Sequence, residues 1–168
     1  MTAETMMTRD PVTCSPSLRL EEALLLMHRH QVQSLPVVDD SGKLVGLLSL
    51  RGLVRALLPV AAQLSDAGLL DLSYLPDDTG ALRGRLEGLS GRPVQDFLHP
   101  LGETVVCKPD TSVPELLYLL SRSDWNPPML SVIGEGGELL GVVTEWDILN
   151  HLANGLPDST PSKRGEQP

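Results

Sequence analysis

The sequence predicts an α/β fold in which one β-α-β-β-α unit is spelled out twice, and two observations carry that reading. Val12-Thr-Cys-Ser-Pro16 returns as Val105-Val-Cys-Lys-Pro109 at an offset of 93 residues, each a short β-prone run stopped by proline. Further on, Pro36-Val-Val-Asp-Asp-Ser-Gly42-Lys-Leu-Val-Gly46-Leu-Leu-Ser49 is matched by Ser131-Val-Ile-Gly-Glu-Gly-Gly137-Glu-Leu-Leu-Gly141-Val-Val-Thr144 at an offset of 95. The offset grows where residues are inserted around Trp125 to Met129.

The elements follow in order. After each proline, apolar residues recur at i, i+3, i+4 and i+7, as Leu20, Ala23, Leu24 and Met27 and again as Val113, Leu116, Leu117 and Leu120, which predicts an amphipathic helix in each copy. Each long match then reads as strand, polar turn with Gly42 or Gly137, and strand, a hairpin signal. A second helix follows from about residue 52 to 58 and from about 147 to 154. Copy one therefore occupies residues 3–58 and copy two 93–154. Between them, 59–92 predicts a partly helical linker, with Leu64, Leu69, Leu70, Leu72 and Leu75 on a packed helix and Pro76-Asp-Asp-Thr-Gly80 as a turn. The polar, breaker-rich stretch 155–168 predicts a disordered tail.

Composition narrows the function. Hydrophobic residues at 41% suffice for a core, and aromatics at 3% make that core aliphatic and leave few faces on which bases could stack. A formal net charge of -9 opposes a phosphate backbone, so no nucleic-acid partner is expected. The first residues lack an apolar leader, and no stretch approaches the roughly 18 apolar residues that span a bilayer, so the expected location is cytoplasmic, with no membrane partner. His28 and His30 fall on different helix faces, and His99 and His151 have no ligating neighbour at metal spacing, so no metal is assigned. No nucleophile-base order, no Gly-rich phosphate loop ahead of a lysine and no paired-acid motif is present, so the chain is not read as an enzyme.

Gly141-Val-Val-Thr144-Glu-Trp-Asp147-Ile-Leu leaves a strand for a helix. Met7-Thr-Arg-Asp-Pro11-Val precedes the first strand, Leu35-Pro-Val-Val-Asp39 lies in the second, and Val94-Gln-Asp-Phe-Leu98 leads into copy two. In this order and in duplicate, over roughly residues 3 to 154, the chain resembles the cystathionine-β-synthase (CBS) domain family. The resemblance implies two CBS repeats packed about a pseudo-twofold axis, a Bateman module, with two clefts between them. It further implies an adenosine-containing regulatory ligand (AMP, ADP, ATP or S-adenosylmethionine) rather than a required cofactor, a homodimer, and an effector protein that the sequence does not name. In ligand-binding members the Ser/Thr and Asp of the Gly-h-h-[Ser/Thr]-x-x-Asp motif hold phosphate and ribose hydroxyls, which carries over to Thr144 and Asp147.

A hydroxyl, a carboxylate and free helix N–H groups at one corner suit a nucleotide. The same Thr144-x-x-Asp147 spacing also spells a capping box that binds nothing. Copy one keeps the hydroxyl as Ser49 but has Gly52 in place of the carboxylate, so the cleft containing Asp147 is the expected nucleoside site. Arg19, matched by Ser112, puts a cation at a helix N-terminus; it either meets a phosphate or is balanced by Glu21 or Glu22. Lys108 stands on the segment that borders a cleft in the family, and Cys107 and Val132 on the strands beside it complete the ligand-binding set. Cys14 and Cys107 hold equivalent positions, either as buried apolar side chains or as a redox or metal pair. The Trp125–Met129 insertion and Ser131, in place of Pro36, are expected to reshape the adenine wall, and Trp146 to sit half-buried or at an interface. Two functions remain: a ligand-sensing regulatory module, or a ligand-free structural and interaction module.

Overall fold

The computed structural model describes residues 1–58, 79–99, 101, 106–122 and 129–154; the expectations for 59–78, for Trp125 and its neighbours up to Pro128 and for the tail 155–168 lie outside the described residues. The first part runs α1 (Ala3–Met6), β1 (Thr8–Arg9), α2 (Leu20–His30), β2 (Ser34–Val38), β3 (Leu44–Ser49) and α3 (Leu50–Leu57). After α4 (Thr79–Ser90) and a 3-10 turn (Val94–Phe97) come β4 (Val106–Cys107), α5 (Val113–Arg122), β5 (Met129–Ile133), β6 (Leu139–Thr144) and α6 (Glu145–Ala153).

Each copy is a small sheet with two helices on one face. In copy two β4 runs parallel to β5, and β5 antiparallel to β6. Copy one repeats this with β2 against β3, its first strand reduced to a parallel bridge between Cys14 and Val37. Both hairpins shift register at equivalent points, Val37/Val38 and Val132/Ile133. Both turn through glycine in the left-handed region, Gly42 at φ 81 and Gly137 at φ 86, where a side chain would be strained.

The pseudo-twofold axis is written in reciprocal hydrogen bonds. Leu44 N–H donates to Gly137 O at 3.1 Å and Leu139 N–H to Gly42 O at 3.0 Å, so the two hairpin turns meet at the axis. The leading segment of each copy crosses to the other. Ala3 and Glu4 N–H donate to Thr111 O and Pro109 O, each at 2.9 Å, while Val94 and Gln95 N–H donate to Leu18 O at 2.8 Å and Pro16 O at 2.9 Å. Thr8 then pairs with Val142 on β6, as His99 bridges Leu47 on β3. Spatially, therefore, the core of copy two includes Ala3, Met6 and Met7, and that of copy one includes Val94.

Strand alternation sorts the apolar residues. Leu35, Val37 and Leu48 face α2 and α3, and Leu130, Val132 and Val143 face α5 and α6. Leu47, Met129 and Val142 form a third cluster with Val106 between the copies. The second helices start at Leu50 and Glu145, two residues ahead of the expected 52 and 147, because Ser49 and Thr144 themselves take the N-cap positions. Gly80, read as a turn residue, lies inside α4, whose Leu82, Leu86 and Leu89 follow helical spacing.

Cys14 and Cys107 are buried in separate cores, which removes the redox- or metal-pair alternative. Burial pushes the Cys14 thiol up to about 11; burial together with the Glu115 charge pushes Cys107 up to about 12. The folded state thus holds these protons longer than the unfolded chain, so both thiols favour folding less as pH rises from the ordinary value of 9.0 toward 11 and 12. At pH 8 a thiol reagent is expected to label neither cysteine until the chain unfolds, and labelling in urea should track the unfolding transition seen by circular dichroism.

Candidate ligand-binding site

The corner between β6 and α6 gathers side chains from both ends of the chain. Thr144, with extended backbone (φ -113, ψ 169), caps α6, and its hydroxyl accepts from Asp147 N–H at 3.4 Å. Asp147 Oδ2 accepts in return from Thr144 N–H and from Thr144 Oγ1, both at 2.7 Å. Asp147 Oδ1 accepts from Thr8 Oγ1 at 3.2 Å. The capping box is therefore made, and the carboxylate is also tied to the leading segment of copy one. A carboxylate has about four lone-pair sites. Three donors leave one free, on Oδ1, and Thr8 holds that oxygen through its longest and most exposed contact.

Copy one has the cap without the carboxylate. Ser49 Oγ accepts from Gly52 N–H at 3.0 Å, and a Cβ on Gly52 would stand 3.2 Å from that oxygen. Gly52→Asp should rebuild the reciprocal box: relief of the helical glycine and an acid in the first turn together add about 1 kcal/mol. At about 2–4 °C per kcal/mol for a chain of this size, thermal melting should detect it.

Two depressions flank the hairpin turns. One, of about 260 Å³, is walled by Asp10, Pro11, Thr13, Val38, Gly42, Leu139 and Leu140. The other, of about 610 Å³, is walled by Lys108, Pro109, Asp110, Ile133, Gly134, Glu135 and Gly137. Val38 and Gly42 correspond to Ile133 and Gly137, but only the smaller depression is walled by both copies; the described lining of the larger comes from copy two alone. The smaller lies on β6 and the continuation of β1, the strand pair that carries Thr8 and Thr144 and leads into α6 with Asp147. Leu140 and Thr144 are four residues apart on β6, about 13 Å at the usual strand rise.

The structure brings Thr144 and Asp147 together and separates the rest of the expected set. Lys108 lines the larger cleft, not the one on the Asp147 side. Cys107 and Val132 point their side chains into the core of copy two, which leaves only their main chain toward a cleft. Ser49 stands at the copy-one corner. Arg19 turns away from both clefts: its guanidinium meets Glu21 at 2.8 Å and its N–H donates to Glu22 at 3.3 Å. Ser131 lines neither described cleft; its fully buried hydroxyl has no hydrogen-bond partner among the described residues. Sequence reasoning missed Thr8, Asp10 and Thr13, although the Met7-Thr-Arg-Asp-Pro11 run was in view. Pairing of Thr8 with Val142, which makes that run part of the site, leaves no local periodicity to read.

The family model for the CBS domain matches residues 3–59 and 94–154. Inosine-5'-monophosphate dehydrogenase of Nitrosopumilus maritimus is 46% identical over 44 residues, 26% of this chain and 9% of that protein. The Mycobacterium tuberculosis dehydrogenase is 34% identical over 122 residues, 59% of this chain and 23% of its own length. The chain thus spans a small part of these relatives. An uncharacterised protein of Methanocaldococcus jannaschii is matched nearly end to end, 23% identical over 89% of this chain and 92% of that one. Among solved structures, CBSX2 in complex with AMP superposes with a TM-score of 0.66 at 23% identity, over 91% of this chain and 96% of that one. A CBS domain-containing protein of unknown function from Bacillus anthracis gives a TM-score of 0.70 at 19% identity, over 93% and 95%. At these identities the structural likeness extends to the fold. No described helix is long and apolar enough to cross a membrane.

Proposed function

Because the chain belongs to the CBS-domain family as a tandem pair, we propose that it is a non-enzymatic regulatory module that binds an adenosine-containing nucleotide in the cleft on the Asp147 side. The observation that carries this reading is the Thr8–Asp147–Thr144 constellation, a half-buried carboxylate held jointly by both copies. One ribose hydroxyl donates to the free lone pair of Oδ1, a second takes the place of Thr8, and the N–H groups opening α6 face the phosphate. Binding there pulls on segments of both copies at once, which is how occupancy becomes a change in their relation. The AMP complex of CBSX2, a protein of the same fold, supports the choice of ligand. The expected location is the cytoplasm.

Thermal melts with AMP, ADP, ATP and S-adenosylmethionine test the reading: at least one should raise Tm by several degrees. No shift with any of them at millimolar concentration leaves the second reading, a ligand-free interaction module in which Thr144 and Asp147 only cap α6. The completeness of that cap is what favours the alternative.

A homodimer fits the uneven covering of the two copies. α4 lies across α2 and α3, with Arg85 Nη1 donating to Leu57 O at 3.0 Å. No described element covers α5 and α6 in the same way, and Tyr118, Trp146, Leu149 and Leu152 stand 58%, 71%, 53% and 46% exposed. Trp146→Glu combined with Leu149→Glu is expected to turn a dimer into a monomer in sedimentation velocity, with the fold intact.

A further inference from the structure

The groove along α2 on copy one offers a different surface. We propose that it receives a basic, amphipathic helical segment of a partner protein. The inference rests on the reading of the chain as a regulator and supplies the chemistry of its effector contact.

α4 comes from the connection that a bare pair of copies does not require. It buries no residue of its own: Leu82 is 46% exposed and Leu86 38%, and opposite them on α2 Leu25 is 65% exposed. Between α4 and α2 lies a depression of about 480 Å³ with Leu24, Leu25 and Leu86 as its apolar lining and Glu21, Glu22 and Glu87 on its rim. A second depression of about 360 Å³ shares Leu24 and His28 and continues to Gln31 and Leu50. Together they follow α2 from Glu21 to Gln31, about 15 Å at 1.5 Å per residue. That length accommodates nearly three turns of a helix, which would present apolar anchors at i, i+4 and i+7.

Charge chooses the occupant. Among the described residues, no Lys or Arg lines either depression. Arg19 balances Glu21, but among the described residues Glu22 receives only a backbone N–H and the Glu87 carboxylate has no ion-pair partner. With a net charge of -9 behind them, these carboxylates attract Lys and Arg flanking the apolar anchors and repel an acidic helix. A second copy of this acidic chain is a poor match for the same reason.

The test uses the whole chain and two synthetic 14-residue amphipathic helices, one of Leu and Lys and the other with Glu at every Lys. Amide chemical-shift mapping should place the Leu/Lys peptide on α2 and α4, while the Leu/Glu peptide causes no shifts. Leu86→Ser and Glu87→Lys, both on an exposed helix face, should each weaken binding about tenfold or more, and Leu117→Ser on copy two should leave it unchanged. Nucleotide-induced melting shifts, recorded on the same samples, should persist in all three variants, which separates failure of the groove from failure of nucleotide sensing. The proposal is overturned by equal binding of the two peptides, by no binding at millimolar peptide, by affinity indifferent to Leu86 and Glu87, or by Leu86→Ser converting a dimer to a monomer. Equal uptake of the chain onto anionic and neutral lipid vesicles, lost in Leu86→Ser, would likewise overturn it, because the groove would then be a lipid surface.

Discussion

AMP at a hundredfold excess over its Kd is expected to raise Tm of the native chain by about 5–10 °C and to leave Asp147→Ala unmoved. Saturation to that degree adds about 2.7 kcal/mol to the folded state. For a chain of this length each kcal/mol is worth about 2–4 °C. Asp147→Ala removes the acceptor proposed for the ribose, and it also removes the acceptor for Thr144 N–H, Thr144 Oγ1 and Thr8 Oγ1. The unliganded variant should therefore melt lower by the cost of a lost cap, about 1 kcal/mol. The two effects are separable: the cap loss is present without nucleotide, and the missing shift appears only with it. Asp147→Asn keeps part of the cap through its carbonyl oxygen but loses the charge, so it should recover stability more than nucleotide response. If Asp147→Ala melts lower yet shifts with AMP as far as the native chain, Asp147 is a cap alone.

Gly141→Ala is the second large effect. A Cβ there would stand 2.7 Å from Thr8 O and 2.8 Å from Met7 Sδ, and the first of these is backbone paired on β6. Relief requires β1 to move off its neighbour, at a cost of about 1–3 kcal/mol, and a fall in Tm of several degrees. The equivalent Gly46→Ala meets His99 O and Leu98 at 3.2 Å, a contact that a small adjustment relieves, so it should cost clearly less. Gly141→Ala also moves Thr8 away from Asp147 Oδ1, the acceptor that a ribose hydroxyl would otherwise have to take from it, so nucleotide affinity should hold or rise although the fold is weakened. Chemical denaturation with and without AMP measures both. Equal destabilisation by the two glycine variants would show that the exchanged segments are not held as tightly as these distances require.

The duplicated strand-turn-strand run made the fold legible, because Gly42 and Gly137, and the alternation on each side of them, keep the same spacing in both copies. The Thr144–Asp147 corner was legible for the same reason, as a local motif. What stayed hidden depends on pairing over long distances. Thr8 meets Asp147 across 139 positions, and a two-residue strand such as Thr8–Arg9 carries too little pattern to announce its partner. An offset between repeats also says which residues are equivalent without saying which cleft each one faces. Lys108, set beside a cleft by the family resemblance, lines the larger depression, whereas Asp147 is tied to Thr8, near the smaller. For Arg19 the sequence left a phosphate or Glu21 or Glu22 as partner, and the ion pair with Glu21 at 2.8 Å favours the carboxylates. In α4 the glycines at 80, 84 and 88 masked a leucine spacing that the packing on α2 and α3 makes helical.

Calorimetric titration of the whole chain with AMP bears most directly on the difference between the two clefts. One nucleotide per chain is expected, with binding lost in Asp147→Ala and retained in Lys108→Ala. Two equivalent sites per chain, or a single site that survives Asp147→Ala and disappears with Lys108→Ala, would contradict the proposed assignment of the ligand to the Asp147 side.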